Sequence, residues 1–568
     1  MRASLDTAPG VCNSTFPVNP QVDFTPSSAA KLPIDIRRYP GIRRLAGDYT
    51  HDFGLLAEFF RGDPARPDAW QSAIRRTQAH PRERDAVAEA IGRQQQRRGA
   101  PPEARAALER LRQPDTVAVL TGQQAGAFGG PLFTLLKAIT ALKLAARIRQ
   151  DHQVPAVAVF WIDAEDHDWD EVGSCEVLDA DVQPRTVRLA PPAGAGTMPV
   201  GSLLFDDAVT ASLDELASIL PPTEFTATLL TRLRSAYRAG VSMSEAFGRW
   251  LEFTLGEFGL IVYDASDPAT KSLVRPLFVR EVQFVGRTAE LAAEAGSRLV
   301  TLGYHAQVSA HADGLALFSL AGERVPIRFS EGGFHLGDRV LAQAELAAEV
   351  SAHPAAFSPN VLLRPIVQDT LFPTVAYVAG PNELAYLGQL KPVYEHFSVP
   401  MPLMVPRASV TLLDSAGVRF LTKYDVAIES LHAQDESMLN HLLEAALPEE
   451  VERAYQDAVA AIEGRMLELV RVVPAIDPTI EGAARSVMGR MHHDLQGLHT
   501  KIIHAAKRRD ETLRRQFTRT RAQAFPNGHA QERAIGFVSF LNRYGPGLVD
   551  RLLSDLPLDL GYHWVVSV

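Results

Sequence analysis

The sequence predicts a doubly wound α/β core that carries inserted subdomains and is followed by a helical hairpin. Three observations predict it. Short apolar runs at 117–120, 156–162, 260–263, 375–378 and 402–405 lack apolar/polar alternation, as strands buried on both faces of a parallel sheet do. Helical stretches follow several of them, including 132–149 after the first and 383–397 after the fourth, which is the rhythm of βαβ units. Late in the chain Val451, Tyr455, Val459, Ile462, Met466 and Leu469 recur at helical steps, as do Val487, Met491, Leu495, Leu498 and Ile502. Two such narrow apolar stripes predict a coiled-coil pair.

In chain order, residues 1–30 are rich in Ser, Thr, Pro and Ala and read as a loose lead-in, and helical patterns fill 48–112. The N-terminal part of the core extends to residue 171. Over 172–360 the pattern changes: "APPAGAGTMPVGS" (190–202) is a flexible connection, and "GYHAQVSAHADGLALFSLAGERVPIRF" (303–329) alternates like antiparallel strands with glycine turns. This region is expected to hold a core strand plus inserted subdomains, with the sheet resuming over 361–410. Residues 411–521 form the expected hairpin, bent at "RVVPAIDPTI" (471–480), whose two prolines cannot continue a helix. Residues 522–568 are expected to pack back on the core.

The composition, 46% hydrophobic and 22% charged over 568 residues, is that of a globular chain long enough for more than one domain. A net charge of −10 gives no general attraction to nucleic acid. The basic run "KRRDETLRRQFTRTR" (507–521) reads first as a solvated face beside an acidic partner. Two cysteines, Cys12 and Cys175, are too few for a disulfide framework and suit a reducing cytosol. The first twenty residues lack an apolar signal core, and no apolar run approaches the roughly 20 residues that span a bilayer. The expectation is a cytoplasmic protein with neither a nucleic-acid nor a membrane partner.

Three stretches carry candidate chemistry. In "VAVLTGQQAGAFGGPLFTLLKA" (117–138) a strand breaks into Gly122, Gly126, Gly129 and Gly130, and a helix follows Pro131. A helix N-terminus beyond a parallel strand can bind an anion, although neither the dinucleotide fingerprint nor the P-loop spacing is matched. A purely structural strand-to-helix turn is the alternative. "VFWIDAEDHDWDE" (159–171) runs from a buried strand into Asp163, Glu165, Asp166, His167, Asp168, Asp170 and Glu171. So many carboxylates around one imidazole call for a cation, an amine or a metal-bound nucleotide, and His167 is suited to acid, base or transition-state donor work. A solvated capping cluster is the alternative. No second His or Cys stands nearby at a zinc-ligand spacing, while Mg2+ shared with phosphates is chemically reasonable. After the fourth strand, Gly380, Pro381 and Asn382 make a turn, with Glu383 and Tyr386 on the next helix. They suit an amino group held in the shared crevice, or Glu383 simply complements a helix dipole.

Together "TGQQAGAFGGPLFTLLKA", "FWIDAEDHDWDE" and "RPIVQDTLFPTVAYVAGPNELAYLGQLKPVYEHFSVPMPLMVPR" resemble the bacillithiol-biosynthesis cysteine-adding enzymes, and the likeness runs from Asp52 and Phe53 to "FPNGHAQER" (525–533). The resemblance implies a Rossmann-like core related to class I aminoacyl-tRNA synthetases, connecting-peptide insertions and a coiled coil that forms a homodimer. It implies a ligase that joins L-cysteine to the amine of glucosaminyl malate in the last step of bacillithiol synthesis, with ATP as co-substrate. Thr121, Gly122, Gln123, Gln124, Gly130, Pro131 and Lys137 match the first motif, Glu165, Asp166, His167 and Asp168 the second, and Gly380, Pro381, Glu383 and Tyr386 the third. The expected roles are catalysis for Glu165, Asp166, His167 and Asp168, and substrate binding for Gln123, Gln124, Gly380, Glu383 and Tyr386. Thr121, Gly122, Gly126, Gly129, Gly130 and Lys137 are expected to bind nucleotide or another anion. The His-x-Gly-His and Lys-Met-Ser-Lys-Ser signatures of true class I synthetases are absent, and Ala127 and Phe133 stand where a larger apolar residue and Tyr are expected.

Two rival classes remain open at this point: an aminoacyl ligase acting on tRNA, supported by the fold analogy and the basic run, and a non-catalytic coiled-coil scaffold, which leaves the three motifs without a task. A hydrolase finds little support, since no Gly-x-Ser-x-Gly elbow occurs and Cys175 in "GSCEV" has no assigned base.

Overall fold

The computed structural model describes residues 31–308, 314–445, 449–509 and 511–568. Cys12 and the lead-in lie outside the described residues, as do residues 309–313 of the alternating segment. The five apolar runs become β1 (Val117–Gln124), β2 (Ala156–Asp163), β3 (Leu260–Asp264), β4 (Thr374–Ala379) and β5 (Leu403–Pro406). They form one parallel sheet in the order β5-β4-β1-β2-β3. Both faces are covered, which is why the runs do not alternate. Val117 and Val119 share one core with Leu135 and Ile139 of α1 (Leu132–His152). Ala118, Leu120, Val157 and Val159 share the other with Ile91 and Leu108 of the N-terminal helices. Each of these buried valine, leucine and isoleucine side chains contributes about 1.5–3 kcal/mol.

The chain leaves β1 towards β2 and β3 on one side and returns to β4 and β5 on the other. Strand order therefore reverses between β1 and β4, and a crevice opens at their carboxyl ends. Between β2 and β4 lie a hairpin of Ser174–Leu178 and Pro184–Arg188, several helices including α2 (Lys271–Gln283), and an antiparallel sheet whose strands include Gly314–Ser319 and Val325–Ser330. Helix α3 (Arg364–Leu371) leads into β4. The single helix expected over 383–397 is split into Leu384–Leu387 and Lys391–Phe397, because Pro392 has no N–H to give the Gly388 carbonyl.

Helices α4 (Glu449–Val472) and α5 (Ile480–Arg509) form a hairpin, with Tyr455 stacked on His499 at 4.1 Å. Helix α6 (Glu511–Ala524) carries the described remainder of the basic run, where Arg514 pairs with Glu436 and Arg519 with Asp414. The chain then returns to the core: strand Tyr562–Ser567 pairs with Lys31–Asp35 on one side and Ser409–Leu413 on the other. Among the described residues no helix is long and apolar enough to cross a membrane.

Candidate active site

The carboxyl ends of β1, β2 and β4 wall a cavity of about 300 Å³, lined by Gly122, Gln123, Gln124, Lys137, Gly380, Glu383 and Tyr386 together with Asp163, Arg364, Tyr377, Arg407 and Arg533. Residues of all three sequence stretches thus meet in one space, the acidic stretch contributing Asp163 and Glu171. The Lys137 ammonium, buried on α1, donates to Gly122 O at 2.9 Å, Gln123 Oε1 at 3.0 Å and Glu383 Oε1 at 2.6 Å, so all three of its protons are engaged. Burial opposes ionisation of Glu383, but Lys137 outweighs it and holds the carboxyl below its usual range. Glu383 Oε2 is buried without a hydrogen-bond partner and remains an acceptor. Arg364 of α3 donates to the Tyr386 hydroxyl at 3.1 Å, leaving the phenol proton free to be given away, and sits 3.5 Å from Asp163. Burial raises the Asp163 carboxyl above its usual range even so.

The acidic motif divides. Gln124 Nε2 donates to Asp166 Oδ2 and Glu171 Oε2, each at 2.8 Å, and thereby ties β1 to the turn after β2. Burial disfavours the Asp166 charge, yet the Gln124 hydrogen bond, Arg324 and the His167 amide together lower its carboxyl. Asp166 lines a second cavity of about 490 Å³, which shares Gln124, Asp163 and Arg364 with the first. His167 and Asp168 line a third, of about 880 Å³. Arg324 Nη1 lies 3.2 Å from His167 Nδ1, and its guanidinium stacks on Phe318 at 3.7 Å. Because Arg324 can only donate, Nδ1 accepts and the proton of the neutral ring sits on Nε2. Asp168 caps the short helix Trp169–Val172, accepting from the Glu171 amide at 3.1 Å. Glu165 lines none of these cavities: it is buried in an ion pair with Lys271 of α2, whose ammonium also donates to Phe357 O at 3.1 Å.

The glycine turn holds the protein's own tail. Gly129 has φ +100°, and a Cβ there would lie 2.3 Å from the Phe537 ring. The Leu132 amide at the start of α1 donates to Ile535 O, and the Phe537 amide donates to Gly130 O. Gly126, Gly129 and Gly130 line none of the three cavities, and Thr121 spends its hydroxyl on Val378 O at 2.9 Å across the sheet. The positive charge that the sequence places on that turn is found instead on arginines. Arg324, Arg364, Arg407 and Arg533, with Lys271, are the site residues that sequence reasoning missed. Arg407 carried a readable signal, since it follows an apolar strand at the same sheet edge; Arg533 arrives from 126 positions further along and had none. Cys175 is buried, its thiol pushed up to about 12, and offers no nucleophile. Among the described residues no group of three or more His, Cys, Asp or Glu side chains is set to hold a metal ion.

A doubly wound α/β core with a polar cavity at its strand-order reversal, joined to a helical hairpin domain, defines a two-domain ligand-binding protein. Residues 32–408 match the family model for the bacillithiol biosynthesis BshC N-terminal Rossmann-like domain, and residues 410–568 the BshC C-terminal coiled-coil domain. The chain belongs to the BshC family of bacillithiol biosynthesis. Relatives carrying the name "Putative cysteine ligase BshC" come from Salinibacter ruber, 33% identical over 92% of this chain and 95% of the relative, and Koribacter versatilis, 32% identical over 92% and 96%. A third, from Chlorobaculum tepidum, is 30% identical over 91% and 95%.

Proposed function

We propose that this protein is a ligase that condenses the carboxyl group of L-cysteine with the amine of glucosaminyl malate, driven by ATP. The observation that carries the reading is the cavity at the reversal point, where Glu383 offers an unpartnered oxygen and Tyr386 a free phenol proton beside an arginine-held Asp163. The names of the family relatives support it.

An amide forms in water only when the carboxylate is activated, the amine is neutral and both are held in register. Glu383 Oε2 accepts from the cysteine ammonium, and the Lys137 pair keeps that carboxylate charged for the purpose. ATP supplies the activation, as an acyl adenylate or acyl phosphate, and the neighbouring cavity lined by Asp166 and Arg324 gives it room. Asp163, whose carboxyl burial raises, takes the proton that the attacking amine releases. His167 Nε2–H donates to developing negative charge on the phosphate or acyl oxygen. For Mg2+ the fit is incomplete: Asp166 and Glu171 already each give an oxygen to Gln124, so these carboxylates form no ready cage, and an ion would arrive with the phosphates. The apolar residues left exposed on the hairpin, Val472 at 54%, Ile476 at 85% and Leu498 at 52%, support a homodimer.

Incubating the protein with ATP, cysteine and glucosaminyl malate and reading the products by mass tests the proposal. The expected result is a thiol product larger than glucosaminyl malate by one cysteinyl residue. Its absence with folded protein and saturating substrates would contradict the reading.

A further inference from the structure

The Phe133 ring on α1 is approached by two guanidinium groups, Arg407 with its Cζ 5.6 Å from the ring centroid and Arg533 at 5.7 Å. Their circumstances differ. Arg407 is 3% exposed and gripped by Glu532, whose two oxygens accept from Nη1 at 2.9 Å and Nη2 at 2.7 Å. Glu532 is itself anchored by the Val410 amide at 2.9 Å and the Ser409 hydroxyl at 3.0 Å. This clamp fixes the Arg407 head, yet leaves its buried Nε without a partner. Arg533, the residue after Glu532, has no carboxylate within ion-pair distance among the described residues.

Both arginines, with Asn382, line the 300 Å³ cavity and also a neighbouring groove of about 670 Å³, which Arg188 enters from the 184–188 strand. Asn382 Oδ1 is another buried atom without a partner at this junction. Lys137 is matched by Glu383 and Arg407 by Glu532, and Arg364 stands beside Asp163. Among the described residues Arg533 is therefore a cation held in no ion pair where the two spaces join, with Glu171 and Glu383 of the same cavity acting on it only at longer range. A planar donor array with spare N–H groups, one member clamped in advance and both resting on an aromatic face, is the arrangement that binds an oxyanion through two parallel hydrogen bonds.

We propose that Arg407 and Arg533 form an oxyanion site at this junction that holds a carboxylate of the acceptor and so points its amine into the 300 Å³ cavity. The inference rests on the ligase reading and adds the determinant of acceptor choice. Glu532 is its positioning residue. The C-terminal segment, although remote in sequence, supplies both Glu532 and Arg533 and so completes the site.

The test is calorimetric titration of the full chain with L-malate and, separately, with inorganic phosphate, on the wild type and on Arg533→Met, which keeps the aliphatic stem on Phe133 and removes the charge. Arg407→Met is unsuitable, because it would strand a buried Glu532. The expected result is malate binding that weakens about tenfold or more in Arg533→Met, the effect of losing a charge-assisted hydrogen bond, with an unchanged thermal midpoint. In turnover, the variant raises KM for the acceptor and leaves KM for cysteine in place. Equal malate affinity in the two proteins overturns the proposal. Arg533-dependent binding of phosphate without binding of malate also overturns it, since the oxyanion would then belong to the nucleotide. Malate binding through Arg533 in a protein that makes no product sinks the ligase reading alone, and product formation indifferent to Arg533 sinks this inference alone.

Discussion

Replacing Lys137 with Met removes a cation that three acceptors converge on and leaves the Glu383 carboxylate without its partner. Breaking a buried pair from one side costs about 3–5 kcal/mol. The Glu383 side chain is 27% exposed, so water from the cavity can relieve part of the loss and about 3 kcal/mol is expected. Glu383→Gln keeps an acceptor for Lys137 and loses only the charge, for about 1.5–3 kcal/mol. In the double variant no charge is stranded, so its loss falls short of the sum of the single losses by roughly 2 kcal/mol. Urea unfolding of the four proteins at pH 7, followed by tryptophan fluorescence, measures the coupling. The carboxyl is held below its usual range, so this stabilisation is present above pH ~4.5 and fades as pH falls through the lower value of the folded state. Additivity of the two substitutions within about 0.5 kcal/mol at pH 7 would refute the pairing.

Asp369 is buried, accepts from the Tyr394 hydroxyl at 2.5 Å, and has its carboxyl raised by burial to about 6. Its ionisation penalises the folded state as pH rises from about 4 to 6, so the stability of wild type relative to Asp369→Asn should drop by up to about 3 kcal/mol across that window, read from thermal midpoints at pH 4 and pH 7. Asp166→Asn and His167→Ala should each lower product formation at least a hundredfold while circular dichroism stays unchanged, and wild-type turnover would reduce that turn to a capping device. Arg324→Met should act in the same direction more weakly, because His167 loses the donor that orients its ring through Nδ1. Light scattering at micromolar concentration should return the mass of a dimer, and Ile476→Glu with Leu498→Glu should shift it to the monomer if the exposed hairpin face is the contact.

The sheet was legible because burial on both faces leaves an uninterrupted apolar run, and each of the five runs became a strand. The hairpin was legible because apolar residues recur there at helical steps, although the stripes stay partly exposed, with Leu469 and Leu498 facing outward, and the paired helices cover only 449–509 of the 411–521 expected. What the glycine turn holds was not legible. A turn built for a close approach has the same composition whether an anion or a neighbouring chain segment approaches, and the partner here, Ile535–Phe537, lies some 400 residues away in sequence. The acidic motif looked like one cluster because its residues are consecutive. In space Glu165 turns into the core towards Lys271 while Asp166 and His167 face outward, a division set by Lys271 and Arg324, whose approach no local pattern announces. The arginines of the site come from four separate segments, and apart from Arg407, which follows an apolar strand, they were hidden for the same reason.

Cysteine labelled with 18O in both carboxyl oxygens provides the most direct measurement of the central claim. When the labelled amino acid is ligated to glucosaminyl malate, forming the amide expels one carboxyl oxygen, and an activated intermediate passes that oxygen to the nucleotide fragment. The account predicts one 18O in AMP or in inorganic phosphate for each amide formed, AMP marking an adenylate and phosphate an acyl phosphate. Amide formation with no label in either fragment, or nucleotide cleavage with no amide at all, would contradict it.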